Sequence, residues 1–240
     1  MEYYINKWAR LTVEGFYKKY THSPLSLRDS IPLACKGTDY GVSGNEAASS
    51  TARGRAYGLE VMLRWFGVGR FTALASYTWY RSQFEDPATG IYIPSAWDYR
   101  HLFTLSGTYK LPKNWDIGLK FRLMGGAPYT PYDEYTSSLV SAWDATARPY
   151  YDYDRYNTGR LKTFYEADIR VDKSFYFKGV MLGFYVDLQN VLNFKYDNPP
   201  VLISTGEKDV DNDGTERYRM KYIAQQSGVI LPTLGITVEF

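Results

Sequence analysis

The last ten residues, LPTLGITVEF, alternate in character. Leu234, Ile236, Val238 and Phe240 are apolar, with Gly235, Thr237 and Glu239 between them. A period of two marks a strand with one apolar and one polar face. Chain ends usually fray into water, so an apolar end on such a strand calls for burial. The same alternation recurs around Ala9–Tyr17, Tyr57–Trp65, Phe71–Trp79, Phe103–Tyr109, Trp115–Leu123, Tyr165–Val171 and Val180–Leu188. That predicts about eight strands, each near the length that crosses a bilayer when tilted.

The connections sharpen this. Short ones fall near 66–69, 111–114 and 175–179, and long ones near 20–52, 82–97, 125–160 and 195–228. Structureless loops this long argue against a compact soluble domain. Strict alternation of long and short puts every long loop on one side, which is the topology of an outer-membrane barrel. In lipid each backbone polar group needs an internal partner, so strands span only as a closed wall. Glu60, Arg64, Lys120, Arg122, Asp168, Arg170 and Asp172 all fall in the polar register. A mid-membrane charge in the other register would cost roughly 2–4 kcal/mol. Trp65, Phe71, Tyr109, Trp115 and Phe240 end the apolar stripes on the short-turn side, and Tyr17, Tyr57, Trp79 and Tyr165 on the other, as two interface girdles. The fold class read from this is all-β: an antiparallel transmembrane β-barrel segment, with residues 1–240 as one domain. A soluble antiparallel sandwich also alternates, but explains neither the loop asymmetry nor the terminal Phe.

Composition agrees. Net charge is +2, which gives no case for a nucleic-acid partner, and no apolar run reaches membrane-helix length. Aromatics make up 18%, including 24 Tyr, which suits strands and interfaces. The single cysteine, Cys35, excludes an internal disulfide. No basic start followed by an apolar core opens the chain, so no secretory signal is read.

Several stretches, in order, resemble TonB-dependent outer-membrane receptors, especially Bacteroidetes-like ones: RGRAYGLEVMLRW, WDYRHLFTLSGTYKL, GGAPYTP, YEADIRVDKSF with DLQNVLN, and PTLGITVEF. The resemblance covers most of the chain from Arg53 onward. It implies a 22-stranded barrel in the cell outer membrane, plugged by an N-terminal domain and importing a nutrient such as a siderophore chelate, cobalamin or glycan. This chain has room for about the last eight strands, so the expectation is a C-terminal fragment without plug, signal or energy-coupling box. The implied partners are outer-membrane lipid, the barrel-assembly machinery reading Phe240 as its signal, TonB through the missing N-terminal part, and a surface lipoprotein. The alternatives are a complete eight-stranded barrel with a binding or adhesion role, and an outer-membrane enzyme. No nucleophile elbow, phosphate loop or Cys/His metal spacing supports the enzyme.

Candidate sites fall in the long loops. PYTPYDEYTSS and RPYYDYDRYN gather tyrosines on one connection, and Tyr129, Tyr132, Tyr151, Tyr153 and Arg155 are the expected substrate contacts. Tyr supplies rigid amphipathic contact area. DVDNDG sets Asp209, Asp211 and Asp213 at the spacing that opens a calcium loop, with Gly214 for the turn. The match fails at position 12, which is Met220, so calcium in the 209–216 loop stands against a plain acidic loop tip. Beyond that ion no cofactor is expected. His101, beside Asp98 and Arg100, reads as part of a hydrogen-bond cluster anchoring a strand at the rim.

Overall fold

A computed structural model of the chain describes residues 1–36 and 46–240. The part of the first long connection at 37–45 lies outside the described residues. The elements are β1 (Glu2–Asn6), β2 (Ala9–Ser26), β3 (Ala48–Val68), β4 (Phe71–Glu85), β5 (Tyr92–Pro94), β6 (His101–Leu111), β7 (Trp115–Met124), β8 (Pro128–Tyr129), α1 (Glu134–Ser138), α2 (Val140–Thr146), β9 (Gly159–Arg160), β10 (Phe164–Phe177), β11 (Val180–Gln189), β12 (Tyr196–Val210), β13 (Glu216–Ser227) and β14 (Leu231–Glu239). Neither helix is long and apolar enough to cross a membrane.

All eight expected strands form, as β2, β3, β4, β6, β7, β10, β11 and β14. They hydrogen-bond in chain order in one antiparallel sheet, with β1 added outside β2. Among the described residues the sheet is open: β14 pairs only with β11, and β1 only with β2. The closed eight-stranded alternative is therefore not the arrangement adopted. Short turns take backbone forms that glycine or asparagine accepts. Lys113 and Asn114 both have positive φ, as a tight hairpin turn requires, and Gly179 does the same between β10 and β11.

Register follows the sequence pattern. Val13 pairs with Val61, and Val61 with Tyr77. Tyr77 pairs with Phe103, and Leu105 with Phe121. Leu119 pairs with Ile169, Val171 with Val186, and Val186 with Leu234. The apolar register is thus continuous from β2 to β14. It is also bare: Leu59, Ile117, Leu119, Phe184, Leu234 and Ile236 are all exposed. A soluble sheet would bury this face against a second layer. None is present among the described residues, and the accessible surface is 15370 Å². A compact monomer of this mass would show about 11,000 Å². An open sheet with its outward face uncovered accounts for an excess of this kind.

The opposite face carries the charges. Arg122 on β7 bonds Glu166 on β10, and Arg170 bonds Asp172 at 2.7 Å. Arg170 also lies over the Tyr185 ring, 3.9 Å from its centroid. That ring covers Gly235 of β14, where any Cβ would collide with it. A larger residue at Gly235 would have to displace the Tyr185 ring from its place under Arg170. Arg64, Lys120, Asp168, Arg170 and Asp187 line a concavity of about 640 Å³ on this face.

Two long connections depart from the loop expectation. The one at 195–228 is mostly a β-hairpin, β12 with β13. Pro199 and Pro200 interrupt its pairing, where the register slips between Asn198 and Val201. The connection at 125–160 contains α1 and α2. Asp133 caps α1, its carboxylate accepting from Thr136 N at 3.0 Å.

Candidate functional site

The long-connection side carries its own small core. Cys35, Ala52, Phe84 and Tyr156 are buried together, with Leu25, Ile31, Ala34 and Ile93 against them. Burial in this cluster pushes the Cys35 thiol up to about 12, so it stays protonated and inert.

Two buried polar side chains tie the connections around that core. Asn157 has positive φ, a conformation asparagine tolerates. Its Nδ2 donates to Cys35 O and to Pro94 O, both at 2.9 Å, and its own N–H donates to Thr130 Oγ1 at 3.1 Å. One amide thus joins three long connections. Asp98, fully buried, accepts from Ser82 N at 2.7 Å and pairs with Arg81 at 3.4 Å, Arg100 at 3.8 Å and Arg160. Burial, then the neighbouring Arg160 and Arg81, lower the Arg100 pKa from its ordinary value. The Asp-x-Arg-His stretch is a rim anchor, as expected for Asp98 and Arg100. His101 is not part of it: its Nδ1 meets Tyr77 Oη at 2.8 Å, in the outward register.

The tyrosine-rich connection is built on this base. Gly125 and Gly126 sit where a Cβ would overlap Tyr99 O and Leu161 O, so the chain leaves β7 through a gap that fits only glycine. Beyond it, Tyr132 stacks on Tyr151 with centroids 4.9 Å apart, Tyr151 tilts against Tyr153 at 6.4 Å, and Tyr153 stacks on Tyr156 at 6.1 Å. Three of the expected substrate contacts, Tyr132, Tyr151 and Tyr153, therefore come together in one row. Tyr129 pairs with Gly159 between β8 and β9, its ring lying against that glycine. Arg155 is set apart from the row's stacking, paired with Asp152 at 3.7 Å.

The β12–β13 hairpin is latched onto α1 and α2. Arg217 donates to Tyr135 O and Ser138 Oγ, both at 2.9 Å, and lies 4.0 Å over the Tyr135 ring. Tyr218 Oη donates to Asp144 at 3.0 Å and Tyr222 Oη to Glu134 at 2.8 Å. Burial, then the Glu134 carboxylate, push the Tyr222 phenol far above its usual range.

The acidic run is not gathered. Asp209 pairs with Arg219 at 3.3 Å, Asp211 with Arg217, and Asp213 accepts from Thr215 N at 3.0 Å. That bond holds the Asp213 pKa below its usual value. The three carboxylates serve the hairpin and its turn. Among the described residues no group of three or more His, Cys, Asp or Glu is placed to hold a metal. Phe240 follows β14 and is 99% exposed. Sequence reading missed Asn157, Arg160, Arg217 and Tyr222, and placed Tyr156 among the loop tyrosines rather than in a core. Only Asn157, in YNTG, carried a local turn signal.

No protein-family model matches the chain, and no curated protein matches it. Solved structures do. The chain is similar to the ferric citrate transporter FecA in its unliganded form, with TM-score 0.58 and 15% identity over 98% of this chain and 30% of that one. It is similar to the ferripyoverdine receptor of the outer membrane of Pseudomonas aeruginosa, with TM-score 0.56 and 13% identity over 98% of this chain and 25% of that one. It is also similar to the ferric-catecholate import receptor Fiu from K12 E. coli, with TM-score 0.53 and 14% identity over 98% of this chain and 26% of that one. The chain thus spans 25–30% of the length of these three structures. At such identities the likeness concerns fold alone: the chain is an antiparallel sheet of the kind found in the barrels of those structures.

Proposed function

We propose that the chain is a wall segment of a TonB-dependent outer-membrane receptor, and that it serves uptake of a scarce nutrient rather than catalysis. The observation that carries this is the exposed apolar register from β2 to β14, with the mid-strand charges on the opposite face. The charges that share the register, Lys19, Arg55, Arg81 and Lys173, lie at or beyond the girdle aromatics Tyr17, Tyr57, Trp79 and Trp115. Such a face is stable against lipid and costly against water. The similar solved structures, receptors for ferric citrate, ferric catecholates and ferripyoverdine, support the uptake reading by analogy. On this reading the open edges of the sheet pair with strands outside the chain, completing a barrel of about 22 strands. TonB engages through residues outside it, and Phe240 is presented to the assembly machinery. The Bacteroidetes-like assignment and a surface lipoprotein partner rest on the sequence resemblance alone.

The test takes cells producing the chain in its native reading frame. Recovery in the outer-membrane fraction is expected. So is loss of growth, on disruption, with one limiting nutrient among a ferric siderophore, cobalamin and an oligosaccharide. Recovery in a soluble fraction, or unchanged growth on all three, would sink the proposal.

A further inference from the structure

Tyr153 differs from its neighbours in the row. Its ring stacks on Tyr156 with an interplanar angle of 12°. Tyr156 is 6% exposed and belongs to the buried Cys35, Ala52 and Phe84 cluster. Asn157, the next residue, is pinned by two hydrogen bonds from its side chain to other connections. Tyr153 is therefore backed by a fixed ring and still 57% exposed. A preorganised, half-covered aromatic ring loses little freedom on binding a flat partner.

The surrounding charge narrows that partner. The two segments that form the row, 129–135 and 150–156, carry four carboxylates, Asp133, Glu134, Asp152 and Asp154, against one guanidinium of their own, Arg155, with Arg217 of β13 over Tyr135 at their edge. Asp152 and Asp154 flank Tyr153 in the chain, and Arg155 pairs with Asp152. Such a setting repels a polyanion. It suits a neutral ring rich in hydroxyls, whose C–H face meets the negative face of the phenol ring while its O–H groups donate to carboxylates.

We propose that Tyr153, backed by Tyr156 and flanked by Asp152 and Asp154, is a stacking site for a neutral carbohydrate ring. This rests on the uptake reading and names the substrate class of its loop-side site. A polyanionic ferric chelate would have to overcome the local carboxylates.

The test uses outer membranes carrying the full chain, probed with an array of neutral oligosaccharides and with a ferric tricatecholate. Binding of a neutral oligosaccharide is expected. It should weaken about tenfold in Tyr153→Ala, hold in Tyr153→Phe, and hold in a control at the far short-turn end, Tyr176→Ala. Three results would overturn the proposal: no neutral oligosaccharide bound, binding indifferent to Tyr153→Ala, or tricatecholate binding that depends on Tyr153. Outer-membrane recovery of each variant is measured alongside. A chain that fails to reach that membrane overturns the uptake reading, and this site with it. An assembled chain that fails on the array overturns this site alone.

Discussion

At Asn157 one side chain holds together segments remote in sequence. Its partners Cys35 and Pro94 lie 122 and 63 residues away. Replacing it with Gly keeps the positive φ and deletes only the side chain, which leaves two carbonyls without their donor. About 1–3 kcal/mol of local stability should be lost. Amide hydrogen exchange should quicken around 33–36 and 92–96 as well as around 157. Change restricted to 157 would show that the staple is not a coupling. No sequence reading finds such a hub, because a turn-forming Asn looks the same whichever distant carbonyls it meets. Register, by contrast, is written residue by residue. Val61 lies in the outward set and Met62 in the inward one. Val61→Arg should therefore cost roughly 2–4 kcal/mol in the membrane and impair assembly, while Met62→Arg should assemble. Heat-modifiable mobility of the folded barrel on gels separates the two, and equal assembly would refute the assigned faces.

Among elements, the eight wall strands were legible because one face is apolar and the other polar, so period two survives along each. The weakest of them by pattern, the Phe71–Trp79 stretch, is a full strand because its neighbours on both sides hold it. The β12–β13 hairpin lacks that contrast. Arg217, Arg219 and Lys221 alternate with Tyr218, Met220 and Tyr222 in β13, but β12 carries two prolines and a charged end, so the pair reads as loop. What fixes it is tertiary, the latch to α1 and α2. Arg217→Ala should free the hairpin and raise trypsin cleavage at Lys208 and Arg219, with wall strands still protected. The connection after β2 has an electrostatic tie of its own. Lys36 Nζ bonds Asp29 at 2.7 Å and Glu46 at 3.0 Å, and Ser26 Oγ donates to Glu46 at 2.5 Å. Burial of Asp29 works against its charged form, yet the Lys36 bond and its companions win and lower its pKa. Glu46 is lowered by the bonds from Ser26 and Lys36. Both carboxylates thus ionise more readily folded than unfolded. Their stabilisation is present above the ordinary carboxylate range, near pH 4, and is lost as pH falls through the lowered values. Exchange at Ser26–Lys36, corrected for intrinsic rates, should rise on that acid side and stay flat from pH 6 to 8. A rise centred near neutrality would contradict the assignment.

For the molecule as a whole, the bare outward face and the open edges at β1 and β14 make water a poor solvent. Unpaired strand edges template association, and exposed apolar surface drives it. Diluted from detergent into buffer, the chain should self-associate in sedimentation, and a stable monomer there would argue for a covered face. The architecture was legible at this scale, because loop asymmetry and strand register are global patterns. The rim was not, because it depends on side chains meeting across connections. That rim also bears on where foreign sequence can be placed. Barrel loops ordinarily accept insertions. Here the stretches at 33–36, 94–98 and 157–160 are joined through Asn157 and Asp98, so a graft in one would be felt in the others. Space remains at the two turn tips, Gly90 and Gly214, where nothing lies within 4 Å of an added Cβ, although the positive φ of both calls for the glycine itself to be kept beside a graft. An epitope displayed on this wall belongs at those tips, and the rest of the rim should be exchanged only as a set.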